Sequence, residues 1–115
     1  MPRSTLAAEG LPAKVLGALK KLGADLRTAR QRRAMTQAVM ARNMYVTEKT
    51  VRRVEAGDPG VSLGVYASAL FVLGLSDRLG QIASPETDAY ANWQQRQAAP
   101  KRVREKGTRS DGLDF

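Results

Sequence analysis

The 115-residue sequence predicts an all-α fold, with five helices set between a loose N-terminal arm and a polar, basic C-terminal tail. Three observations carry that expectation. Apolar residues recur at steps of three and four, the period of a helix with one buried stripe. No alternating, strand-like pattern appears before residue 85. Helix punctuation falls where ends are needed: Thr36, Thr47 and Ser62 precede periodic segments, and Gly57 follows one.

Residues 1–12 hold two prolines, a glycine and few large apolar groups, and read as a flexible arm. The first helix lies in "KVLGALKKLGADLRTARQRRA", where Leu19, Leu22, Leu26 and Ala29 make one apolar stripe. Lys20, Lys21, Arg27 and Arg30 fall largely off it. Gly17 and Gly23 weaken the pattern, so the helix start lies anywhere from 13 to 24. Thr36 caps a short second helix, "QAVMARNM", anchored by Val39, Met40 and Met44. A corner at Met44 to Val46 leads to Thr47, which caps the third helix, "EKTVRRVEA". Gly57 closes that helix, and Asp58-Pro59-Gly60 is a turn in which proline sets φ and glycine permits a positive value. Ser62 caps a fourth helix, "LGVYASALFVLGL", apolar almost all round and so expected to be the most buried. A short fifth helix, "SDRLGQIA", runs from Ser76 to before Pro85. Residues 13–83 thus form the folded domain, and residues 84–115 read as a linker and basic tail, largely disordered alone.

Composition narrows the function. Lys plus Arg number 19 against 11 acids, a net charge of +8. Residues 1–60 carry 12 basic and 5 acidic side chains (+7), and residues 61–115 carry 7 and 6 (+1). The excess therefore lies with the first three helices and favours an anionic partner, nucleic acid before membrane surface. The absence of cysteine and histidine excludes disulfides, thiolate chemistry, His-ligated zinc and histidine acid–base catalysis. No nucleophile-and-base pair, phosphate-cradling glycine loop or metal cluster is visible, so neither an enzyme nor a cofactor is expected. No apolar run reaches the ~20 residues that span a bilayer, and the N-terminus lacks the apolar core of a secretory signal. The expected location is the cytoplasm, on the nucleoid when bound to DNA.

On a helical wheel of residues 46–56, Val51 and Val54 share one side while Lys49, Arg53 and Ala56 lie opposite, with Arg52 adjacent. A short helix that packs by its valines and shows cations outward, preceded by another short helix, suits the major groove of DNA.

The stretch "MTQAVMARNMYVTEKTVRRVEAG" resembles the helix-turn-helix of the lambda-repressor-like (XRE-type) DNA-binding regulators. The match rests on Thr36-Gln37 opening the second helix, Ala41 at the helix crossing, Val46 after the corner, Val51 and Val54 inside, and "VEAG" at the helix end. It spans roughly residues 16–83 and implies a five-helix lambda-repressor-like DNA-binding domain. It implies that Thr47, Glu48, Lys49 and Arg53 face bases, Glu48 by accepting from cytosine N4 or, equally, as a favourable charge at a helix N-terminus. Gln37, Thr50 and Arg52 would lie on phosphate or the groove wall, with Arg30, Arg33 and Arg42 as further phosphate contacts. The departure is Tyr45, where the family usually has glycine because the backbone takes a positive φ. Either the turn is rebuilt, or strain is offset by packing the ring nearby.

The implied function is a homodimeric, sequence-specific repressor acting on double-stranded DNA, autoregulatory in the manner of many such regulators. A narrower resemblance joins "GDPGVSLGVYASALFVLGL" and the basic "KRVREK" to the HipB-type antitoxins of toxin-antitoxin systems. It implies a HipA-type kinase toxin as partner. An interaction module that mainly restrains such a kinase stays open as the alternative, and co-purification with the neighbouring gene's product separates the two.

Overall fold

Three helices begin on the same device. Thr36, Thr47 and Ser62 are extended residues whose side-chain oxygens accept the N–H of Val39, Thr50 and Val65, at 3.1, 3.2 and 3.2 Å. Each such cap contributes about 1 kcal/mol by satisfying a donor that the helix leaves free. The computed structural model describes residues 10–102, and side chains from 10 to 98. Most of the expected arm (residues 1–9 of 1–12) and most of the basic "KRVREK" tail lie outside those residues. Within them the chain is all-helical and divides after Leu79 into two units.

The first unit holds α1 (Ala13–Arg32), α2 (Gln37–Met44), α3 (Glu48–Glu55), α4 (Leu63–Val72) and the single-turn α5 (Ser76–Leu79). Helix α1 packs on α3, α2 on both α3 and α4, and α4 on α5. The core gathers Leu26 of α1, Met40, Ala41 and Met44 of α2, Val51 and Val54 of α3, and Tyr66, Ala69 and Leu70 of α4. Burial of this apolar surface is the main stabilising term.

Four helix ends repeat a second device. Ala34, Tyr45, Gly57 and Gly74 all have positive φ. At each, two crossed backbone bonds close the last turn, such as Gly57 N to Val54 O and Asp58 N to Arg53 O, both 3.0 Å. These are Schellman motifs, which satisfy the terminal carbonyls and turn the chain sharply. Glycine at 57 has a further reason: a Cβ there would run into the Leu19 carbonyl of α1. From the opposite side, a Cβ on Gly23 would sit 2.6 Å from the Glu55 and Val54 carbonyl oxygens. The two glycines let α1 and the end of α3 touch backbone to backbone. Gly23 therefore marks the crossing of an uninterrupted 20-residue helix and does not delay its start.

Two expectations are corrected. Helix α4 is not buried all round: it turns Tyr66, Ala69 and Leu70 inward and leaves Leu63 and Phe71 69% and 73% exposed. A ten-residue helix packed by one face leaves the other exposed, whatever its composition. The expected helix "SDRLGQIA" stops at Leu79, where Gly80 disfavours another turn.

The second unit, read as linker, contains a 3₁₀ turn at Pro85–Thr87 and helix α6 (Ala89–Arg102). The Asp88 carboxylate accepts the N–H of Ala91, and the Asn92 amide donates to the Pro85 carbonyl, which fasten the helix start to the turn. Tyr90 and Trp93 stack at 6.3 Å on its exposed surface. Local hydrogen bonds and ring stacking hold this segment, with no buried side chain among the described residues.

The glycines of α1 predict opposite outcomes for one substitution. Gly17 has open space around its Cβ position, so Gly17→Ala stabilises by about 0.5–1 kcal/mol through helix propensity and a less flexible unfolded chain. Gly23→Ala destabilises by about 3 kcal/mol or more, because backbone atoms cannot retreat from the new methyl. Thermal melts of the two variants check the sign difference.

Candidate nucleic-acid interface

Helix α3 is short and depends on its inner face. Val51 and Val54 are 1% and 2% exposed and hold the helix against α1 and α2. Glu55, one turn beyond Val51, continues this row inward, its side chain almost wholly buried. Its carboxylate accepts Arg30 Nε at 2.6 Å and Arg30 Nη2 at 3.1 Å from α1. It also accepts Gln37 Nε2 at 3.0 Å from the start of α2. Arg30 Nη1 donates to the Met35 carbonyl at 2.8 Å. One carboxylate thus ties three helices together.

This arrangement corrects the expectation for Arg30. It is 7% exposed and its Nε, Nη1 and Nη2 all donate to internal acceptors, so it is an internal strut and not a surface cation for phosphate. Arg30 stands four residues after Leu26, on the buried stripe and not off it. Glu55 likewise stands four residues after Val51, on the buried side of α3. Each position falls on an apolar row, and the buried charge of one signals the other. Gln37 keeps its place at the head of α2, with one amide hydrogen used internally.

The outer face is Thr47, Glu48, Lys49 and Arg52, all exposed. Among the described ion pairs none involves Lys49 or Arg52. Thr47 is committed as the cap, and its hydroxyl lies 3.1 Å from that of half-buried Thr50. Glu48 occupies the first turn, where a carboxylate is favoured by the helix dipole. Arg42 is exposed in the last turn of α2, and exposed Arg33 donates to the Ala29 carbonyl of its own helix at 2.8 Å.

Arg53 differs from the expected outward cation. Its Nε donates to Asp58 Oδ2 at 2.7 Å, folding the side chain back onto the loop after α3. Asp58 Oδ1 accepts the Gly60 N–H at 2.7 Å, and the Asp58 carbonyl accepts the Tyr66 hydroxyl at 2.8 Å. The Asp58 carboxyl is held below its ordinary range, first by the Arg53 hydrogen bond and then by the Gly60 N–H. Burial, with the Asp58 charge adding, pushes the Tyr66 phenol up to about 12, so it stays a neutral donor. The Arg53–Asp58 pair is half-exposed and so of modest strength.

At the corner Tyr45 has φ 59° and ψ 41°. Neither sequence alternative holds. The turn keeps the left-handed geometry, and the ring is 95% exposed, so no packing offsets a strain of about 1 kcal/mol or more. Val46 beyond it leans on the core, which fixes the angle between α2 and α3.

Two short helices joined by a left-handed corner, the second presenting its outer face, invite comparison with known domains. The family model described as a helix-turn-helix domain matches residues 21–79. The chain belongs to the helix-turn-helix domain family. Neither the curated proteins nor the solved structures yield a match. Such a domain is a DNA-binding element, and it makes this chain a DNA-binding regulator. Among the described residues no helix is long and apolar enough to cross a membrane.

Two outcomes follow for the helix-turn-helix domain. Glu55→Ala leaves the buried Arg30 guanidinium unpaired and costs about 3–5 kcal/mol. Adding Arg30→Met to it restores part of that loss, a coupling read from a double-mutant cycle of urea melts. Asp58 gives a pH dependence. Its folded pKa lies below the unfolded value near 3.8, so its contribution is complete above that value and vanishes as pH falls through the folded one. The Tm gap between wild type and Asp58→Asn therefore narrows as pH falls through and below about 3.8; parallel curves contradict the assignment.

Proposed function

We propose that this helix-turn-helix protein is a homodimeric, sequence-specific transcriptional repressor that lays α3 in the DNA major groove. The observation that supports it most is the division of α3. Its valines and Glu55 are fixed inside, so Thr47, Glu48, Lys49 and Arg52 face outward from a helix that cannot roll. The N-terminal end, Thr47 to Lys49, enters deepest: Lys49 bonds the acceptor edge of guanine, and Glu48 accepts from cytosine N4. Arg52 lies on phosphate at the groove wall with Thr50, Gln37, Arg33 and Arg42. Arg53 joins the base contacts once DNA displaces Asp58, an exchange that a half-exposed pair permits at small cost.

One such domain offers few base contacts, and two-fold pairing lets two reading helices meet half-sites about one DNA turn apart. The uncharged outer face of α4, with exposed Leu63 and Phe71, is the surface suited to that pairing in a chain of net charge +8. Control of its own operon, and the narrower antitoxin reading with a HipA-type kinase, rest on the sequence resemblance alone.

Binding to the DNA upstream of the protein's own gene, against unrelated duplexes, tests the proposal. Lys49→Ala relaxes discrimination at one base position by about 1–3 kcal/mol, while Arg52→Ala weakens all duplexes alike. A wild type with no salt-sensitive preference for that DNA, or two variants with the same profile, counts against it.

A further inference from the structure

Packing accounts for every large apolar side chain at the junction of α2 and α3 except one. Tyr45 stands in the left-handed region with its ring fully in solvent. The residues at the equivalent place in the other three helix ends are Ala34, Gly57 and Gly74, none with more than a methyl. Tyr45 thus combines the largest side chain with the backbone conformation that least favours one, and the fold gains no contact from it. Its neighbours Met44 and Val46 lean into the core, which sends the tyrosine to the opposite side. Two residues on, Thr47 opens α3, and exposed Arg42 and Lys49 stand three residues before and four after it. Strain kept without a packing return marks positions held by function.

We propose that Tyr45 is itself a DNA contact. Its phenol donates its O–H to a phosphate oxygen at the rim of the groove that α3 enters, and its ring lies against the adjoining deoxyribose. The inference rests on the DNA-binding reading above. The chemistry fits the place: the flanking cations draw the phosphate backbone close, and a phenol adds a hydrogen bond and apolar area with only two torsions to fix. The contact is sequence-independent, so it sets affinity and register and leaves base choice to α3.

Wild type, Tyr45→Gly, Tyr45→Phe and Arg52→Ala are compared by thermal melting and by fluorescence anisotropy on short mixed-sequence DNA duplexes over a salt series. Tyr45→Gly melts higher, by about 5 °C, because glycine relieves the corner. It nevertheless binds every duplex about ten- to a hundredfold more weakly, having lost a hydrogen bond to a charged acceptor together with the ring's contact. Tyr45→Phe keeps the ring contact and loses the hydrogen bond alone, so its loss is smaller, about tenfold, and comes without the gain in melting. Neither variant changes the slope of log affinity on log salt, since a neutral donor releases no counterion, whereas Arg52→Ala lowers it by about one. If both Tyr45 variants bind as wild type while Arg52→Ala weakens, the proposal is overturned and the DNA-binding reading stands; a tyrosine kept for a protein partner gives that result. A wild type without salt-dependent binding overturns that reading and this inference together.

Discussion

The Glu55 carboxylate, buried at the end of α3, accepts three hydrogen bonds: two from Arg30 on α1 and one from Gln37 on α2. Without it, an eight-residue helix with two buried valines would have little to set its rotation. Hydrophobic contact is non-directional and by itself does little to set the rotation of a helix. A bidentate ion pair does set it, because its bonds have preferred lengths and angles. The buried pair is therefore better understood as fixing orientation than as adding stability, since desolvation consumes much of its Coulomb energy. Everything assigned to the outer face of α3 follows from that fixed rotation.

Backbone geometry complements the charge network. Thr36, Thr47 and Ser62 open three helices with one hydrogen-bond pattern, and Ala34, Tyr45, Gly57 and Gly74 close four with another. These ends satisfy the donors and acceptors that short helices leave free in high proportion. They also aim each helix into the next, so the chain turns where its sequence says it must. The glycine pair at 23 and 57 adds a close approach, backbone against backbone, beside the Glu55 network. Rigid support thus converges on one end of α3, while its other end projects toward solvent.

Much of this was legible in the sequence. The caps, the Gly57 stop and the valines of α3 are local signals, read from residue type and spacing of three or four. The placement of Lys49 and Arg52 outward followed from those valines by simple rotation. Charge alone does not mean surface in this domain. Arg30 sits on the stripe of Leu26 and is buried, and Arg53, exposed by its wheel position, is folded back by Asp58. The reverse case appears in α4, where an apolar composition implied burial that Leu63 and Phe71 do not have. Polar residues 84–98, read as linker, are organised by local bonds from Asp88 and Asn92 that composition does not reveal.

By itself, the sequence determined the first four helices, most of their ends and the basic character of the first half, because each depends on neighbours within a turn or two. Tertiary structure alone decided which charged groups are spent inside and which remain outside. An arginine's role depends on whether a carboxylate 25 residues away reaches it, as Glu55 reaches Arg30. It decided the corner as well: Met44 and Val46 are drawn into a shared core, and that pull holds Tyr45 in a conformation its own residue type disfavours.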